Sequence, residues 1–228
     1  MRLSWSAVCG LWLLAGCSDV LVLQLQTGPQ AFDVSADGLA IPDALRGADG
    51  QIASVPCGPM GVCPTDAAVP ITCEAGFCDP APRTLSFPLG DVVDFDVLAS
   101  GGRVLLRHID AIEIVEGAYS VSVNSLTVPL PETELFWGPE GASDVDPAMG
   151  VVRIGTVPSI AAMTTVDGQL ALNAAGVSLL SDYLVNTSRR IRFFARTQVD
   201  LEPGQPVPAG ALSASVNLRV RITGTVLR

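Results

Sequence analysis

One histidine, His108, sets the first bound on the chemistry open to this chain. A lone imidazole cannot build a multi-histidine metal centre, and a catalytic triad needs a nucleophile set against it. No Gly-x-Ser-x-Gly segment supplies one. His108 follows Arg107 and precedes an apolar run, so it reads as a strand histidine. Aspartates are the next candidates. In Asp91-Val-Val-Asp94-Phe-Asp96, strand alternation puts Asp94 and Asp96 on one face. Such a pair could join further oxygens around Ca²⁺ or serve as the two carboxylates of a hydrolase; the plainer reading is a solvated strand face. Asp33-Val-Ser-Ala-Asp37-Gly38 opens like a calcium loop, but the closing twelfth position is Ala44, where a bidentate acid is required. It reads as a turn. There is no phosphate-binding glycine loop and no dinucleotide fingerprint. The expectation is a non-enzymatic protein with no cofactor and no metal, an Asp-dependent hydrolase being the least favoured alternative.

Arginine is the more distinctive residue. All 13 basic residues are Arg, against 23 acids, for a net charge of -10. An acidic chain of this kind is not a nucleic-acid binder by default. The balance is uneven: residues 189–228 carry seven Arg against Asp200 and Glu202, while residues 17–188 carry five Arg against 21 acids. In Arg190–Thr197, Arg190, Arg192 and Arg196 share one parity. In Leu212–Val226, Arg219 and Arg221 share another. If the two stretches pair as adjacent strands, the five guanidinium groups form one wet face. Like charges opposite one another are destabilising unless they meet anions. The candidate anion-binding set is therefore Arg190, Arg192, Arg196, Arg219 and Arg221, with anionic lipid or glycan as the ligand. The competing reading is pairing with the chain's own acids.

The N-terminus carries the clearest signal. Arg2 precedes a mostly apolar stretch, Trp5–Ala15, that closes in Leu14-Ala15-Gly16-Cys17. Short apolar cores ending in small residues read as export signals. The four residues resemble the lipobox of bacterial lipoproteins, which implies cleavage before Cys17, a diacylglyceryl thioether on its sulfur, and a membrane attachment through lipid. Two or three acyl chains anchor stably where one does not. Ser18 and Asp19 interrupt the apolar run well short of the about 20 residues that a spanning helix needs. Under the lipoprotein sorting pattern, Ser18 after the Cys leans towards the outer membrane of the cell envelope.

Four further cysteines, Cys57, Cys63, Cys73 and Cys78, lie within 22 residues. An even count in an exported chain implies two disulfides, with three connectivities open. Spacings of five and four residues within the pairs fit poorly with a zinc module. The surrounding prolines and glycines suggest a small stapled knot with little core of its own.

The elements that must position these residues read as β. Val20–Gln26 alternates. Residues 27–56 wander, with one short helix near Pro42–Arg46. From Thr84 onward come short strands at Leu85–Leu89 and Val92–Leu98, a long run at Val104–Val115, and Tyr119–Leu130, whose apolar parity slips near Asn124-Ser125 as at a bulge. Val151–Val157 and Thr164–Leu172 follow. Ala174–Leu184 places Val177, Leu180 and Leu184 on one helical face. Arg190–Thr197 and Leu212–Val226 alternate without interruption, which means one buried and one wet face. The predicted organisation is a signal peptide at 1–16, a lipidated N-terminus and connector at 17–56, a disulfide knot at 57–82, and an all-β domain at 84–228. That domain is expected to be an antiparallel β-sandwich of about seven or eight strands with one short helix. From Tyr119 to Val226 the order of features is similar to the WHy-type domain of late-embryogenesis-abundant proteins. The features concerned are the strand through Asn124, the Ile160–Leu172 stretch with Thr164-Thr165, the single helix and the final alternating strand. Ser125 stands where that family commonly has proline. The resemblance implies a β-sandwich with one helix and a role in envelope or desiccation stress rather than catalysis.

Overall fold

The computed structural model describes residues 20–39, 41–65, 70–96 and 106–226. The lipobox and Cys17 lie outside them, and the side chain of His108 is likewise not described.

Two five-stranded antiparallel sheets enclose one core. The first is built on its last strand. β13 (Ala211–Val226) pairs along one side with β7 (Leu106–Asn124), and β7 pairs in turn with β10 (Val166–Gln169). Along its other side β13 takes β1 (Val20–Gln26) at its C-terminal half and β2 (Gln30–Ser35) at its N-terminal half. Residues 20–35 of the expected connector are therefore sheet strands. The second sheet runs β11 (Ala171–Leu172), β9 (Val152–Val157), β8 (Thr133–Pro139), β12 (Arg190–Val199), β6 (Arg83–Asp94).

Alternation explains the long strands. On β13 every even position from Leu212 to Gly224 is buried, and Leu212, Val216, Leu218, Val220 and Ile222 form the floor of the core. Burial of such aliphatic side chains is the main stabilising term, at roughly 1.5–3 kcal/mol each. The second sheet contributes Leu89, Leu135, Trp137, Ile154, Ile191 and Phe193 from above.

The expected strand boundaries shift where bulges intervene. Gly90-Asp91 does not separate two strands; residues 90–92 bulge opposite Arg192 within the single strand β6. Gly90 takes φ +55° there, and an added Cβ would fall 2.6 Å from the Gln30 amide oxygen. The described part of the run Val104–Val115, from Leu106 on, and the start of Tyr119–Leu130 share one 19-residue strand. Its register against β13 shifts at Ser122, Val115, Asp110 and Arg107. The slip in parity lies at Ser122, and the strand ends at Asn124 because the Asn124 side chain turns the chain. Its Oδ1 accepts from Leu126 N–H, while its Nδ2 donates to the carbonyls of Ala161 and Thr164. Leu126 and Leu130 still reach the core, from a loop.

Helix α1 (Ala174–Asn186) is capped by Asn173, whose side chain accepts from Gly176 N–H at 2.9 Å. It buries Gly176, Leu180 and Leu184 and packs against β7 of one sheet and β9 of the other. Gly176 is required by contact: a Cβ would lie 1.9 Å from the Arg153 carbonyl. The Trp137 indole N–H donates to the Gly176 carbonyl at 3.2 Å, and its ring stands 5.2 Å from that of Tyr183. The short helix expected near Pro42–Arg46 is a 3-10 turn, Asp43–Leu45.

The knot is a three-stranded sheet of β3 (Val55–Pro56), β5 (Phe77–Pro80) and β4 (Ile71–Glu74). Its disulfides join Cys57 to Cys73 and Cys63 to Cys78, with Cα separations of 5.9 and 5.6 Å. Val55 and Ile71 lean on a second small core of Leu39, Ile41, Leu45, Ile52, Val199 and Leu201.

Candidate functional site

The five candidate arginines do not share a face. β12 and β13 belong to different sheets, so Arg190, Arg192 and Arg196 are separated from Arg219 and Arg221 by the core. The two stretches do not pair as adjacent strands, and residues 200–207 do not simply link them. They lie along residues 50–52 instead: Ile52 N–H donates to the Gln205 carbonyl, Gly204 N–H to the Ile52 carbonyl and Val207 N–H to the Gly50 carbonyl. The arginine side of β12 is also partly covered, since Phe194 packs with Phe136, Ala142 and Val151.

Four of the five arginines face an acid directly across a strand pair. In the ladder, Arg190 lies opposite Asp94, Arg196 opposite Glu134, Arg219 opposite Glu116 and Arg221 opposite Glu113. The charged atoms close to 3.6, 2.8, 2.7 and 3.0 Å respectively. Arg190 also reaches Glu140 at 2.8 Å, and Arg192 donates from Nε to the Glu140 carbonyl at 3.0 Å. Opposite charges in such pairs stabilise a sheet where like charges would strain it. Four of the five arginines are thus internally neutralised, two on each sheet, while Arg192 meets a backbone carbonyl.

Glu134 is the best-developed of these centres. Arg196 donates to its Oε2 from two nitrogens, at 3.1 and 2.8 Å, and Arg153 donates to Oε1 at 3.1 Å. Partial burial pushes the Glu134 carboxyl up, but the hydrogen bonds and charges of Arg196 and Arg153 outweigh it, and the net displacement is below its ordinary value. The Arg196 guanidinium also lies 4.8 Å above the centre of the Phe136 ring. Beside this cluster a shallow groove of about 420 Å³ is lined by Thr84, Glu132, Glu134, Arg196, Thr197 and Gln198. Its lining is polar throughout, and its one arginine, Arg196, is the one bound to Glu134.

The aspartates are also engaged. Asp96 meets Arg189 at 2.6 Å, and Asp94 accepts from Asp96 N–H at 2.9 Å beside Arg190. Strand alternation does not relate them, because β6 ends at Asp94 and Asp96 lies in the helical turn that begins at the fully buried Phe95. Neither lines the Glu134 groove or the small apolar cleft between Val34, Leu39, Leu126 and Val199, which holds about 20 Å³. The would-be calcium loop is not a loop: Asp33 is on β2, where its Oδ1 accepts from the Ser213 hydroxyl, and Asp37 sits in a 3-10 turn. The sulfurs of Cys57, Cys63 and Cys78 converge, but as members of two disulfides rather than as thiolate ligands.

No family model and no curated protein matches the sequence. Among solved structures, a chain of Desmodium yellow mottle tymovirus is similar over all of this chain and 94% of its own, at 10% identity and a TM-score of 0.30. A chain of infectious bursal disease virus, Gx strain, is similar over 95% of this chain and 54% of its own, at 11% identity and a TM-score of 0.26.

Proposed function

We propose that this protein is an exported lipoprotein of a bacterial cell envelope, held to a membrane by acyl chains on Cys17, and that its disulfide knot and sandwich act as a non-enzymatic structural or binding module there. The observation that carries the reading is the conjunction of Leu14-Ala15-Gly16-Cys17 with four further cysteines that all close into disulfides. Stable disulfides belong to an oxidising compartment, and a lipobox is a route to one. The geometry adds an orientation. Val20, three residues beyond Cys17, sits opposite Thr225, while Ser35, which leads on to the knot, sits opposite Ala211. At about 3.3 Å per residue, the 16 residues of β13 put roughly 50 Å between the tethered pole and the knot. The knot then projects away from the membrane.

Binding of anionic lipid or glycan through arginine is a weaker second reading, because four of the five candidates meet acids across the ladder. Hydrolysis by the aspartates is weaker still, because Arg189 and Arg190 hold them outside any cleft described above. Replacing Cys17 by Ser tests the main reading. The native chain should fractionate with membranes and resist extraction by high salt, whereas Cys17→Ser should leave the membrane fraction. Equal membrane association of both proteins overturns it.

A further inference from the structure

We propose that β1 is a homodimerisation edge, pairing antiparallel with β1 of a second copy of this chain. The backbone fixes which groups are available. Thr27 N–H donates to the Leu218 carbonyl at 3.0 Å, and the register runs back from there as Gln26 opposite Arg219 to Val20 opposite Thr225. Bonded and non-bonded positions alternate along an antiparallel ladder. Leu25, Leu23 and Leu21 therefore bond to β13, and Val20, Val22, Gln24 and Gln26 turn their N–H and C=O groups to the outer edge. Among the described residues, β1 pairs with β13 and with no other strand.

Proteins normally blunt such an edge with charge, proline or a bulge. Val20–Gln26 reads VLVLQLQ and contains neither charge nor proline, and Val20 and Val22 are 51% and 53% exposed. What selects a second copy is symmetry together with charge. An antiparallel pairing centred on Leu23 sets Val22 against Gln24 and Val20 against Gln26 of the other copy. These are the positions whose backbone groups face outward, so the edge satisfies itself by a two-fold rotation, as an isologous interface must. Two chains of net charge -10 repel over most of their surfaces. Along this edge they present an uncharged strand, and the next residues inward on the wet face are the neutralised pairs Arg221–Glu113 and Arg219–Glu116.

The test uses the full chain in a mild detergent, with mass measured by sedimentation equilibrium over a rising protein concentration. Val22→Pro removes an outward N–H that the β13 ladder does not use, and Gln24→Lys places a charge on the edge without altering the backbone. The native chain should reach twice the chain mass, and both variants should stay at the mass of one chain. The Gln24 amide should exchange with solvent at least about tenfold faster in dilute than in concentrated native protein. A native chain that remains single at every concentration overturns the proposal. So does a dimer that survives Gln24→Lys, or a Gln24 amide equally protected in the single chain, which would mean that another part of the same chain covers the edge.

Discussion

Arg219 and Arg221 stand two residues apart on β13, whereas their partners Glu116 and Glu113 stand three apart on β7. The bulge at Val115 absorbs the difference, and without it one of the two ion pairs would be out of phase. That is why the arginine periodicity is legible in the sequence and the partners are not: pairing by spacing alone gives no match. Glu134 is hidden for a related reason, since its arginines come from β12 and β9, one on each side of it. Its stability effect has a definite sign. The folded carboxyl is displaced below the ordinary value, so its contribution is complete above the unfolded value and is lost as pH falls through the folded one. Partly exposed pairs are worth about 0.2–1 kcal/mol, and two arginines share this carboxylate. Glu134→Gln should therefore cost about 1 kcal/mol at neutral pH. It should also flatten the acid limb of a thermal-unfolding profile taken from about pH 5 down to about pH 3. An unchanged acid limb in Glu134→Gln would remove Glu134 from the account. The same pairing predicts that replacing Arg196 and Arg219 together by Ser leaves co-sedimentation with anionic liposomes unchanged in low salt. A clear loss there would revive the anion-binding reading.

At the level of elements, strong periodicity carried most of the architecture. The helical spacing of Val177, Leu180 and Leu184 found α1, and the unbroken alternation of Leu212–Val226 found β13 and its buried face. Sheet membership was not legible. Two successive alternating strands joined by a proline-rich loop look like an antiparallel pair, and nothing in residues 200–207 announces that their backbone bonds go to residues 50–52. Val20–Gln26 was legible as a strand from its alternation, whereas residues 30–35 looked like part of a connector because their partner strand lies some 180 residues away. The helix and the knot allow separate tests. Gly176→Ala must push α1 off β9, and overpacking of backbone against backbone should cost about 3 kcal/mol, measured as a fall in the denaturant midpoint. Removing one bridge by Cys57→Ala with Cys73→Ala should cost about 2–4 kcal/mol. Because only Val55 and Ile71 of the knot reach the small core beside it, that loss should appear as early protease cleavage within residues 57–78 while the sandwich stays folded. Collapse of the whole molecule in one step would show that the knot and sandwich are a single cooperative unit.

At the scale of the whole molecule, two sheets share one core and the disulfide knot stands beside it. Four arginines of its last two long strands neutralise acids in place, its four described cysteines are cross-linked, and its first described strand begins three residues after the expected acylation point. A lipid on Cys17 would thus hold the sandwich close to the bilayer rather than on a long leash. The most direct measurement is the mass of the N-terminal proteolytic peptide from protein purified out of its native membrane. The account predicts a peptide beginning at Cys17 and heavier than its sequence by a diacylglyceryl group, with or without an amide-linked acyl chain. A peptide that begins at Met1, or one that begins at Cys17 with a bare thiol, would contradict it.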